Sequence, residues 1–215
     1  MMNSENTNQY LEDGGKVETL KAAPTEGRPV VVLIGDSIRE GYCGFVRETL
    51  EPEVEVYYPN ENCRFSQYIL CTDFYGGIQR PENVRVVHWN CGHWDVARFD
   101  DVAPLNTKEV YAETVGRIQT MLKKRFPNAE IIFATTTPMN PNGEKEKAGR
   151  RSTEDIRAYN AAALEVLSGM NVTVNDLYGK GAGLGEELYR DHCHYTEAGN
   201  RYLADCVCEC VRKYI

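Results

Sequence analysis

The chain reads as an α/β protein in which a parallel sheet of five strands lies between two layers of helices. Three observations predict this. The run Val30, Val31, Val32, Leu33, Ile34 is continuously apolar, as expected for a strand with both faces covered. Four further runs of strand character recur at 54–58, 84–89, 130–135 and 172–175. Segments with helical spacing separate most of them, and strand–helix–strand units build parallel sheets. Five such strands suit a three-layer, flavodoxin-like sandwich.

Taken in order, the first strand, 30–34, leads into Gly35, Asp36 and Ser37. Phe45, Val46, Thr49 and Leu50 then suggest a short helix that ends at Pro52. The alternating strand at 54–58 stops at Pro59. Residues 66–76 are ambiguous, with some helical character. The third strand runs over 84–89 into Asn90, Cys91, Gly92, His93, Trp94 and Asp95. Thr107 is placed to cap a helix carrying Val110, Thr114, Ile118, Met121, Leu122 and Arg125, which ends before Pro127. Pro138 closes the fourth strand. Ser152 and Asp155 have capping-box spacing ahead of Ile156, Tyr159, Ala163, Leu164 and Leu167. The fifth strand is short, and Thr196 caps a last helix with Leu203, Val207, Cys210, Val211 and Tyr214 on one stripe.

A length of 215 residues and 42% apolar composition fit one domain with one core. The expected division is an N-terminal arm over 1–27 and a folded domain over 28–215. A net charge of −8 argues against nonspecific nucleic-acid binding, which needs a basic face. No apolar run approaches the roughly 18 residues that span a bilayer. The first residues lack the apolar core of a secretory signal, so no membrane association and a cytoplasmic location are expected. In that setting the eight cysteines are expected to be reduced. Cys206 and Cys210, one helical turn apart, are expected to pack as small apolar groups.

Chemistry concentrates in two motifs. Ser37 follows a buried strand, placing it at the carboxyl edge of the sheet where open α/β folds build their sites. A serine hydroxyl needs a base, usually an imidazole steadied by a third group. Asp191 and His194 can supply both from one segment, although His192 is as able as His194 on chemistry alone. The order serine, aspartate, histidine points to acyl transfer. Asp36 is expected to bond nearby amides in a structural role.

These motifs resemble those of the SGNH (GDSL-type) hydrolase family. The stretch Val31 to Ile38 resembles the family's first block. The stretch Asp191 to Gly199 resembles its last, with Tyr195 where proline is usual. The resemblance covers about residues 28 to 215 and implies the same three-layer fold. It implies Ser37 as nucleophile, His194 rather than His192 as base, and Asp191 as its orienter, with no cofactor and no metal. The family draws its oxyanion donors from a glycine amide after the second strand and an asparagine side chain after the third. This chain departs at both places: 59–66 contains no glycine, and Trp94 stands where the asparagine is expected. The expected donors are therefore the Ser37 amide, the Asn90 side chain, and Asn62 or the Phe65 amide.

The implied reaction is hydrolysis of short-chain acyl esters. Aromatic residues at 42, 65, 89, 94 and 195 suggest stacking on sugar rings and hence O-acetylated carbohydrates as substrates, with Trp94 and Tyr195 expected in the pocket. The partner is thus a small-molecule or carbohydrate ester, and the oligomeric state is unreadable. Two other classes compete: a metal-dependent hydrolase using Asp191, His192 and His194 with His88, His93 or Cys193, and a noncatalytic binding module that keeps the fold.

Overall fold

The computed structural model describes residues 27–51, 53–74, 78, 80–99, 102–142 and 150–215. Its five strands are β1 (Val30–Ile34), β2 (Glu55–Tyr57), β3 (Val84–Trp89), β4 (Glu130–Ala134) and β5 (Thr173–Asn175). They lie in the order β2-β1-β3-β4-β5 and every neighbouring pair is parallel. The fold class expected from the sequence is the one observed. Strand order reverses between β1 and β3, so the loops leaving these two strands diverge and open a crevice at their carboxyl ends.

The continuous apolar run of β1 is explained by what covers it. Val30, Val32 and Ile34 face a core shared with Val115, Ile118 and Leu122 of α3 (Lys108–Arg125) and Ile156, Ala163 and Leu167 of α4 (Thr153–Ser168). Val31 and Leu33 face the opposite core, with Val46 and Leu50 of α1 (Ser37–Leu50) and Leu203, Val207 and Val211 of α6 (Glu197–Val211). Period-two alternation within an all-apolar strand therefore feeds two cores. The short α2 (Ser66–Cys71) packs on α3, and α5 (Leu177–Gly181) on α6.

Local signals set the helix ends. The Thr107 hydroxyl accepts from the Val110 amide at 3.3 Å, Ser152 from Asp155 at 3.0 Å and Thr196 from Gly199 at 3.4 Å. One boundary differs from expectation, because α1 starts at Ser37 rather than near Phe45. Asp36 caps it by accepting from the Ile38 amide, and Ile38, Tyr42, Val46 and Leu50 form its buried stripe. The 3₁₀ turns Pro81–Asn83 and Glu186–Leu188 and the helix α5 were not legible, since three to five residues hold no full apolar period.

All eight cysteines are free, and every one except Cys71 is buried; Cys206 and Cys210 lie in the core between α6 and the sheet. The arm expected over 1–27, apart from Gly27, lies outside the described residues, as does 143–149 of the loop before α4. Among the described residues no helix is long and apolar enough to cross a membrane.

Candidate active site

The site forms where β1 and β3 deliver their loops to the switch point. Gly35 follows β1, and a Cβ on it would sit 2.0 Å from the Asn90 side-chain oxygen. Only glycine lets the Asn90 side chain cross there. Asn90 in turn gives its amide nitrogen to Asp36 Oδ1 at 2.9 Å, while the same oxygen accepts from the Ile38 amide at 3.0 Å. Tyr42 donates to Asn90 Oδ1 at 3.4 Å. Asp36 is fully buried, and burial pushes its carboxyl above the ordinary range, partly opposed by the Ile38 and Asn90 donors. Together these contacts fix the turn that presents Ser37 at the first position of α1.

Ser37 Oγ lies 2.8 Å from His194 Nε2. The other imidazole nitrogen, Nδ1, lies 2.8 Å and 2.9 Å from the two carboxylate oxygens of Asp191. A carboxylate can only accept, so Nδ1 carries the proton and Nε2 offers a lone pair to the Ser37 hydroxyl. Asp191 Oδ1 also accepts from the backbone amides of Cys193 at 3.0 Å and His194 at 2.8 Å. Partial burial raises the Asp191 pKa, but these two amides and the imidazole outweigh it and hold the carboxyl well below its usual range. The structure therefore brings the three expected residues into one line.

The expected oxyanion donors fare differently. Asn90 commits one side-chain donor to Asp36. Asn62 uses its acceptor locally: its Oδ1 accepts from the Arg64 amide at 2.8 Å. That Asx turn holds Arg64 at φ 52°, the left-handed conformation that usually calls for glycine. Phe65, next in the chain, caps α2 without a side-chain bond. Its backbone amide bonds to no other described residue, and neither does that of Ser37. The whole 59–66 loop is pinned by groups the sequence reading missed. Buried Arg39 donates to Pro59 O at 3.0 Å and Gly35 O at 3.3 Å. The Ser66 hydroxyl donates to Asp95 Oδ1 at 2.6 Å. Asp95 occupies the last position of the Gly92 to Asp95 block and ties the loops after β2 and β3 together.

A polar cavity of about 260 Å³ opens beside Ser37, lined also by Glu40, Arg190, His194, Tyr195 and Asn200 among others. Arg190 also borders a wider basin of about 650 Å³ that includes Asn140, Asn142, Glu186 and Glu187. The expected aromatic platform is not assembled. Tyr42 and Trp89 are core residues, and Phe65 packs on Tyr68. Tyr195 touches the cavity but is buried, its ring 4.6 Å from that of Tyr189. Trp94 packs against the exposed Phe99 with ring centres 5.9 Å apart and does not line the cavity beside Ser37. Large aromatic area was better used in packing than in the pocket.

Asp191, Cys193 and His194 each turn one potential metal ligand atom toward the others within 4.8 Å. Their chemistry fits a metal poorly. Asp191 is committed to His194, and burial pushes the Cys193 thiol up to about 12, far from the thiolate a metal needs. His88 is remote, neutral and buried, with Asn175 3.1 Å from its Nε2.

Known structures share this architecture. An acetyl xylan esterase, AlAXEase, superposes with a TM-score of 0.66 at 20% identity, over 85% of this chain and 99% of its own. A lipase/acylhydrolase from Enterococcus faecalis gives 0.68 at 19% identity, over 86% and 96%. A GDSL-like lipase from Bacteroides thetaiotaomicron gives 0.69 at 15% identity, over 97% and 98%. The chain has the GDSL-type hydrolase fold. No protein-family model matches the sequence, and no curated protein sequence matches it either. Within the GDSL-type fold, Arg64 stands in a left-handed position of the loop that follows the second strand, and Trp94 is turned toward Phe99.

Proposed function

We propose that this chain is a serine ester hydrolase of the SGNH (GDSL-type) family that removes short acyl groups from hydroxyl-rich alcohols. The observation that carries the reading is the continuous hydrogen-bonded line from Ser37 through His194 to Asp191. His194 takes the Ser37 proton as Oγ attacks the ester carbonyl, then returns it to the departing alcohol. Asp191, held ionised, keeps the imidazole in the productive tautomer and offsets its positive charge. Water then attacks the acyl-enzyme with His194 again as base, which releases the acid and restores Ser37. The Ser37 and Phe65 amides, which bond to no other described residue, are the donors proposed for the tetrahedral oxyanion.

Two features favour a short acyl group on a polar alcohol. The cavity beside Ser37 is small and carries Glu40, Arg190 and Asn200, a lining that hydrogen-bonds hydroxyls better than it hosts a fatty chain. The basin across Arg190 is polar too. Acetylated carbohydrates fit both, and one structural neighbour is an acetyl xylan esterase. The test is a chain-length series of p-nitrophenyl esters assayed beside acetylated sugars. Acetyl should be the best acyl group, and a serine-directed phosphonate should label Ser37 alone. Labelling of a different serine, or a preference for long acyl chains, would overturn the corresponding half of the reading.

A further inference from the structure

We propose that Arg151 and His192 form a brace that fixes the orientation of Asp191 and, through it, of His194; the inference rests on the hydrolase reading above. Arg151 comes from the loop before α4, 40 positions before Asp191 in the chain. Its backbone is held on both sides. The preceding carbonyl, of Arg150, accepts from the Arg98 amide at 3.0 Å, and the following residue is the Ser152 cap of α4. Arg98 is itself anchored, with its guanidinium on both carboxylate oxygens of Asp155.

From this mount the Arg151 side chain reaches two groups. Its Nε donates to the His93 carbonyl, and its Nη1 lies 2.9 Å from His192 Nε2. A guanidinium has donors only, so His192 Nε2 must present a lone pair. His192 is therefore neutral, with its single proton on Nδ1. That Nδ1 lies 3.7 Å from Asp191 Oδ1, beyond hydrogen-bond reach, so a proton on it acts on the carboxylate only through space. The ring also meets the His194 ring edge-on, with centres 6.0 Å apart at 75°. Asn140 secures the same stretch of backbone, its amide on the His192 carbonyl at 2.9 Å and its side chain on the Asp191 carbonyl at 3.0 Å.

The cation thus selects one of the two tautomers. In the other, His192 would turn a lone pair toward the Asp191 carboxylate and repel it. Arg151 and His192 touch neither Ser37 nor the acyl group in this scheme. They are positioning residues; Arg151 lines neither cavity, so its loss should appear in kcat rather than in KM, while His192 also borders the wider basin.

Nitrogen-15 NMR of the full-length protein at neutral pH reads the tautomer directly, whether or not an ester is turned over. His192 should show the Nδ1–H pattern in the wild type and move toward Nε2–H in Arg151→Met. With the best ester from the series above, Arg151→Met should lower kcat about tenfold at nearly constant KM, and Arg151→Lys should recover most of it. Asparagine can keep a donor where Nδ1 stood and glutamine cannot, so His192→Asn should stay close to wild type while His192→Gln should fall with Arg151→Met. An Nε2–H tautomer in the wild type, or an Arg151→Met variant with undiminished kcat, would overturn the brace. A protein with His192 in the Nδ1–H form that neither hydrolyses esters nor takes up phosphonate would support the brace and sink the hydrolase reading.

Discussion

The 190–194 segment and the two loops that follow β2 and β3 meet around Ser37 by different means. The first contributes side chains whose chemistry the proposed reaction cannot do without: an imidazole to move a proton and a carboxylate to hold it. The loops after β2 and β3 contribute polar side chains that bond to neighbouring turns. Asn62 holds the Arg64 amide, Asn90 holds Asp36, and Asp95 holds Ser66. What these loops offer a substrate in the proposed reaction is backbone. Proton transfer demands particular residues, whereas a developing oxyanion needs only N–H groups in the right place, which any residue but proline can provide.

The largest expected effect is on the side-chain half. Asp191→Asn should lower kcat by something on the order of 10⁴-fold, because an amide can donate to Nδ1 and trap the wrong His194 tautomer. The same substitution tests the charge. The Asp191 carboxyl is held below its unfolded pKa, so it stabilises the fold at neutral pH. That contribution is complete above the unfolded carboxylate value, about 3.9, and is lost as pH falls below it. The Tm gap between wild type and Asp191→Asn should therefore be widest near neutrality and close in acid. A gap that widened in acid would contradict the hydrogen bonding assigned to the Asp191 carboxylate.

The backbone half is tested by deleting one N–H while leaving its side chain alone. Replacing Phe65 with the corresponding α-hydroxy acid turns its amide into an ester. If this group binds the oxyanion, kcat should drop about 10²- to 10³-fold, whereas Phe65→Ala should cost far less. Equal effects of the two changes would mean that packing, not the amide, matters there.

Asn90 should sharpen the contrast, since its side chain secures the turn at Asp36 and Ser37. Asn90→Ala removes a donor from buried Asp36 and should destabilise the fold by about 1–3 kcal/mol. For a domain of this size that is roughly 2–4 °C of Tm per kcal/mol, measured by thermal unfolding. A variant of unchanged Tm whose kcat alone collapses would return Asn90 to the oxyanion hole. The smallest effect is expected at Trp94, whose ring packs on Phe99 outside the cavity. Trp94→Ala should leave kcat/KM for acetyl esters within about twofold, as for other substitutions away from reacting groups. A marked change of acyl preference would put that ring back in the pocket.

Much of the fold could be read residue by residue. The five strands, the caps at Thr107, Ser152 and Thr196, and the parallel sheet all come from patterns that repeat within a few positions. The start of α1 was missed because its cap, Asp36, lies inside the motif that drew attention to Ser37. The aromatic residues misled, since a tyrosine or tryptophan looks the same in a string whether it packs in a core or lines a cleft. Tyr42 and Trp89 proved to be core.

The sequence by itself determined the α/β class, the strand and helix periods, and the serine, aspartate and histidine types that an acyl-transfer line requires. Each is encoded locally, by hydropathy over a few residues or by a residue type with no substitute. Only the tertiary structure decided the rest: the strand order that opens a crevice between β1 and β3, the commitment of Asn90 to Asp36, and the reach of Arg151 to His192. Those last two contacts join residues 54 and 41 positions apart. An asparagine or an arginine can serve many partners. Which one it serves depends on what the folded chain brings within about 3 Å, the span of a hydrogen bond.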